Sequence, residues 1–132
     1  MATHTTAVLE LTKENFAASI DGHPFAVVDF WAPWCGPCRA FAPVFTAAAE
    51  RHPEVLFAKV NTEVEQAIAT QFHIRSIPTL MIFRDNIIVF AQAGALSGGA
   101  FDQVLESAKA LDMEAVRREV SAQDNEARAA SG

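Results

Sequence analysis

Two cysteines, Cys35 and Cys38, stand three positions apart in Trp34-Cys35-Gly36-Pro37-Cys38, and the 132-residue chain has no others. A thiolate attacks disulfides and also binds soft metals, so the pair could exchange disulfides or supply half of a zinc site. Tetrahedral zinc needs further Cys or His ligands, and His4, His23, His52 and His73 form no paired spacing. One local pair is too few for the disulfide framework of a secreted protein. Redox chemistry is the reading that follows, and an inert structural pair is its alternative.

The elements around the pair sharpen that reading. Residues 25–31 are apolar on both strand faces apart from Asp29, as a central strand covered on both sides would be. Beyond the turn at residues 32–37, Phe41, Val44, Phe45 and Ala48 recur at helical spacing, with Pro43 expected to kink the helix and its end near His52 and Pro53. Cys35 therefore sits at an exposed helix start, where unpaired N–H groups and the macrodipole favour an anion. It is the expected nucleophile. Cys38, one turn further in, is close enough to form a disulfide with it and to resolve an intermediate.

The rest of the chain alternates strands and helices. A strand is expected at residues 8–11, then a helix at 13–19 capped by Thr12, and a break at Asp21-Gly22-His23-Pro24. Residues 55–61 read as a strand, and Thr62 as the cap of a helix over 63–72 with Ala67, Ile68 and Phe72 inward. Residues 79–83 and 87–93 form a hairpin about Arg84, Asp85 and Asn86. Residues 94–99 read as a loop, followed by a helix with Phe101, Val104, Leu105, Ala108 and Leu111 on the core. This pattern predicts a three-layer α/β sandwich, a mixed sheet of about five strands flanked by about four helices. Beyond Asp112, Met113, Val116 and Val120 could extend a helical stripe, whereas residues 121–132 read as frayed or disordered.

Composition excludes several function classes. The chain is 51% hydrophobic and 20% charged, as a globular domain would be, and its net charge of -6 offers no footprint for nucleic acid or anionic membrane. Residues 1–16 lack the basic and apolar regions of a secretion signal, and no apolar run is long enough to span a bilayer. A cytoplasmic location is expected.

The segment Val28-Asp29-Phe30-Trp31-Ala32-Pro33-Trp34-Cys35-Gly36-Pro37-Cys38 resembles the redox-site segment of thioredoxins. The resemblance continues through Pro43, Lys59, Ile77-Pro78-Thr79 and Gly94-Ala95-Leu96-Ser97, covering about residues 8–110. It implies the thioredoxin fold and a general protein disulfide reductase with no bound cofactor beyond the Cys35–Cys38 pair. Electrons would come from NADPH through thioredoxin reductase, and the other partners would be disulfide-containing proteins met by a monomer.

Site roles follow from the resemblance where residues match. Pro78 corresponds to a cis-proline facing the redox pair, with the Ile77 backbone offered to a bound peptide; alone it would read as a strand-start proline. Asp29 corresponds to a buried acid behind Cys38, and Lys59 to its partner on the neighbouring strand; a structural ion pair is the plainer reading. Trp31, Trp34, Gly36, Pro37, Ile77, Gly94 and Ala95 correspond to the flat apolar rim on which substrates dock. Gly36-Pro37 between the cysteines argues against a dithiol oxidant or isomerase, and only the C-terminal extension favours a pure binding module.

Three departures stand out. Asn86-Ile87 replaces a common turn glycine, and Thr62-Glu63 replaces a commonly apolar-Asp pair, which reads as a capping adjustment. Residues 112–132 have no counterpart in the minimal domain, which makes 1–111 the catalytic domain and 112–132 an extension, part helical and part disordered.

Overall fold

The computed structural model describes residues 7–131, and the side chains of residues 7–125. His4, the first six positions of the segment read as signal-free, and Gly132 lie outside the described residues.

Apolar side chains on both faces of one run make that run the centre of the sheet. The run is β2 (Phe25–Trp31), and every residue from Ala26 to Phe30 is buried. β3 (Leu56–Asn61) flanks it in parallel, with β1 (Val8–Glu10) parallel beyond that; β4 (Thr79–Arg84) lies antiparallel on the other side, with β5 (Ile87–Ala93) antiparallel at the edge. The strand order is β1-β3-β2-β4-β5. Alternate side chains enter two cores. Val27, Phe57, Leu80 and Ile82 pack with Phe41, Phe45, Phe101 and Leu105 of α2 (Gly36–Arg51) and α4 (Gly98–Lys109). Val28, Phe30, Ala58, Val60, Met81 and Phe83 pack with Ile20 and Ile68 of α1 (Phe16–Asp21) and α3 (Gln66–Gln71). These are the three layers expected, with the mixed sheet in the middle.

Several boundaries differ from the sequence reading, each for a local reason. The Thr12 amide donates to Asn15 Oδ1 at 2.7 Å and the Thr12 carbonyl accepts from Phe16, so a turn opens at Thr12 but regular α1 starts at Phe16. Thr62 does not cap α3. Its N–H and hydroxyl both donate to the Trp31 carbonyl, at 2.8 and 3.1 Å, and Asn61 instead accepts from the amides of Glu63, Val64 and Glu65, so α3 starts only at Gln66. The hairpin turn shrinks to Asp85 and Asn86, both left-handed at φ 51° and 66°, which matches the twist of the flanking strands and leaves Arg84 in β4. α2, by contrast, runs past Pro43 to Arg51 with His52 as its C-cap, the end that the sequence reading expected.

At the C-terminal end, the Ser97 hydroxyl accepts from Ala100 N–H at 3.2 Å, so α4 takes in Gly98 and Gly99, which read as loop. Leu111 falls beyond the end of α4 and is exposed, not part of the core. α5 (Met113–Ser131) is longer than the sequence reading allowed; it carries no glycine or proline and is rich in strong helix formers, so nothing stops it at 121. Asp112 Oδ1 caps it through Glu114 and Ala115, Met113 is buried, and Arg117 meets Asp85 at 2.6 Å. Residues 121–125 are exposed.

Candidate active site

The chain leaves the carboxyl end of β2 at Trp31, turns through residues 32–35 and enters α2 with Cys35 as N-cap. Its extended backbone (φ -85°, ψ 112°) aims Sγ back over the helix start, where it accepts from the Cys38 N–H at 3.2 Å. That bond and the macrodipole would stabilise a thiolate at Cys35 once the pair is reduced. Pro37 fits the first turn, where an N–H has no intrahelical partner. Cys35 and Cys38 are joined as a disulfide with Cα atoms 5.2 Å apart.

Both cysteines are buried, at 4% and 2% exposure. The sequence expectation of an exposed Cys35 is therefore corrected: its neighbours Trp31, Ala32 and Ile77 close around the sulfurs. What distinguishes the two cysteines is the N-cap position of Cys35. Its Sγ lies 3.7 Å from the Ile77 carbonyl oxygen, a contact only, since a disulfide sulfur has no proton to donate. The Ile77–Pro78 peptide is cis, and the Thr79 hydroxyl donates to Ser76 across that turn. Gly94, at φ +100°, donates from its N–H to the Pro78 carbonyl at 2.7 Å, a backbone conformation that favours glycine. Two loops distant in sequence are thus tied together beside the cysteines.

Asp29 projects from β2 on the same face as Phe25 and Val27, the face that α2 covers. Lys59 stands opposite it on β3 and Leu80 opposite it on β4. Asp29 is 4% exposed and its Oδ1 has no hydrogen-bond partner. Burial pushes its carboxyl from 3.8 up to about 7, the Lys59 charge opposing part of the rise. No direct Asp29–Lys59 ion pair forms among the described residues; the Lys59 ammonium lies over the Trp31 ring, 4.7 Å from its centroid. The simple ion-pair reading fails on that geometry, and the lysine acts on Asp29 through space.

The residues assigned to the rim separate into two groups. Trp34 is 66% exposed, and Gly36, Pro37, Gly94 and Ala95 are exposed as well. Trp31 and Ile77 are half-buried beside the cysteines, and the Trp31 Nε1 is buried without a partner. Sequence reasoning missed Glu63, whose carboxylate accepts from Trp34 Nε1, and Arg39, which donates to the Pro33 carbonyl at 2.8 Å. The Thr62-Glu63 departure was the available signal for the first, but a contact across 29 residues leaves no periodic trace.

No cluster of three or more metal-ligating side chains occurs among the described residues, and no helix among them is long and apolar enough to cross a membrane.

Comparison with known proteins agrees with this geometry. The thioredoxin family model matches residues 7–107. A thioredoxin-named protein of Streptomyces coelicolor is 48% identical over 122 residues, covering 92% of this chain and 91% of its own length. Thioredoxin 1 of a Nostoc species is 41% identical over 103 residues, covering 76% of this chain and 96% of its own. Among solved structures, a mutant thioredoxin from Halobacterium salinarum superposes with a TM-score of 0.72 at 28% identity, covering 80% of this chain and 95% of its own. With its strand order, its buried Cys35–Cys38 disulfide at a helix start and these relatives, the chain belongs to the thioredoxin family and is a dithiol–disulfide reductase, acting on disulfide substrates through a redox-active cysteine pair.

Proposed function

We propose that the protein is a general reductase of protein disulfides in the cytoplasm, acting as a monomer and recharged with electrons from NADPH by thioredoxin reductase. The observation that carries the assignment of roles is the Cys38 N–H directed at Cys35 Sγ from the first turn of α2. The reduced Cys35 thiolate attacks one sulfur of a substrate disulfide; a mixed disulfide forms and the other substrate sulfur leaves as a thiolate, to be protonated. Cys38 gives its proton to Asp29, whose affinity near neutrality suits the transfer, and attacks Cys35 Sγ. The second substrate thiol is released, and the Cys35–Cys38 disulfide remains for the reductase to reopen.

Lys59 keeps Asp29 from rising further and so holds it in the useful range. Trp31, Trp34, Gly36, Pro37, Ile77, Gly94 and Ala95 form the docking rim. Pro78 has no N–H to compete for the substrate backbone, leaving the Ile77 backbone to pair with it. Residues 1–111 are the catalytic domain, and 112–132 an extension docked through Met113 and Arg117.

The test is NADPH-coupled reduction of a generic protein disulfide with thioredoxin reductase present. Turnover in the wild type, abolished by Cys35→Ser and by Cys38→Ser, is expected; turnover retained by either variant would overturn the two-cysteine mechanism.

A further inference from the structure

We propose that Glu63 selects substrates by charge: it fixes Trp34 on the docking rim and holds a negative charge there, favouring targets with Lys or Arg beside the reactive disulfide over those with Asp or Glu. The inference rests on the rim proposed above and goes beyond it in naming the chemistry of the substrate.

Trp34 is the large apolar side chain of the site most open to solvent, at 66% exposure, and an indole so exposed would ordinarily sample several rotamers. Here its Nε1–H donates to the Glu63 carboxylate. Glu63 is itself immobilised. Its N–H donates to Asn61 Oδ1 at 3.0 Å, its carbonyl accepts from Gln66 Nε2 at 3.2 Å, and Thr62 before it is bonded twice to the Trp31 carbonyl. The end of β3 is thereby clamped to the end of β2, and the carboxylate is carried to a defined place beside the tryptophan next to Cys35. The indole bond leaves the carboxylate's full charge in place on an exposed surface.

Two cations also lie near this rim. Arg39 is bound to the Pro33 carbonyl, and Lys59 lies over the half-buried Trp31 ring. Both are unchanged by a substitution at Glu63, so a difference between variants reports Glu63 alone. For a substrate charge about 7 Å away in nearly aqueous dielectric, Coulomb's law gives about threefold in rate constant for each unit charge, hence about sevenfold between a Lys and a Glu neighbour.

The experiment uses the reduced full-length protein and two synthetic disulfide peptides that differ only in a Lys or a Glu beside the target cysteine, with kcat/KM measured for each. Glu63→Gln keeps an acceptor for the indole and removes the charge; Glu63→Leu removes both. At about 20 mM salt, where screening trims the effect, Glu63→Gln should lower the Lys-over-Glu preference about fourfold, and at about 1 M salt wild type and variant should converge. Acrylamide quenching of Trp34 fluorescence in a Trp31→Phe background should be unchanged by Glu63→Gln and increased by Glu63→Leu, which separates holding the ring from supplying the charge. A preference equal in wild type and Glu63→Gln at low salt, or a difference that persists at high salt, would overturn this inference alone. A wild type that reduces neither peptide would overturn the proposed mechanism and this inference with it.

Discussion

Replacing Asp29 with alanine should make the protein more stable above neutral pH and slightly less stable in acid, so that the two stability–pH curves cross. The carboxyl has its unfolded affinity near 3.8 and its folded one at about 7, because burial disfavours the charge more than Lys59 restores it. The folded state therefore holds a proton that the unfolded state releases across that interval, and stability falls as pH rises from 3.8 through about 7. At about 1.4 kcal/mol per pH unit the full loss approaches about 4 kcal/mol by pH 8, and relaxation around the charge brings it to about 2–4 kcal/mol. Alanine removes that loss and leaves a cavity worth about 1 kcal/mol. The variant should gain about 1–3 kcal/mol at pH 8 and lose about 1 kcal/mol near pH 4, measured as urea midpoints at half-unit steps. The same change should slow release of the mixed disulfide by about tenfold or more in single-turnover assays, since it removes the proton acceptor proposed for Cys38. A flat difference curve between pH 4 and 8 would refute the buried-acid argument, and an unchanged resolution rate would reduce Asp29 to a structural residue.

Cys38→Ser should accumulate mixed disulfides with protein substrates through Cys35, while Cys35→Ser should trap far less; equal trapping on non-reducing gels would erase the distinction drawn from the N-cap. Removing residues 121–132 should leave reduction and melting temperature nearly unchanged, because residues 121–125 are exposed. Removing residues 112–132 should instead lower stability by about 1–2 kcal/mol, chiefly through the buried Met113, since the half-exposed Arg117–Asp85 pair adds little. Arg84→Met should lower stability by about 1–3 kcal/mol, seen in denaturant melts, because the Arg84 guanidinium donates to the Ala108 and Lys109 carbonyls at the end of α4, at 2.5 and 3.3 Å.

The strands were legible where a single physical demand set them. A run apolar on both faces belongs at the centre of a sheet, which set the bounds of β2, and the β-rich run after the Asp85-Asn86 turn set those of the edge strand β5. Helix starts were less legible because several side chains compete for the same unpaired amides. Thr62 has the chemistry of a cap, but its hydroxyl is held by the Trp31 carbonyl, 31 positions away at the end of β2, while Asn61 accepts the amides that follow. The length of α5 was missed for a different reason: the absence of large apolar residues after Val120 argues against burial, not against helix, and helix propensity alone carried the element further.

The site divides along the same line. Covalent chemistry needs thiols at one spacing in one context, so Cys35 and Cys38 announce themselves, and the Ile77-Pro78-Thr79 and Gly94-Ala95 segments were found through resemblance to a family that places them nearby. Electrostatic tuning leaves no such mark. Lys59 pairs with Asp29 in strand register yet rests its charge on Trp31, an arrangement that follows from the depth of the aspartate and the reach of the lysine. Sequence can name both residues, but only packing decides whether the charges meet. Burial holds the carboxyl near neutral affinity, and the Lys59 charge, acting without direct contact, offsets only part of that rise. A closer Lys59 would hold it ionised, and an ionised Asp29 with a tightly bound cation would be a poorer acceptor for the Cys38 proton. In the proposed mechanism, burial without a directly bound cation is therefore what leaves Asp29 able to accept the Cys38 proton at working pH.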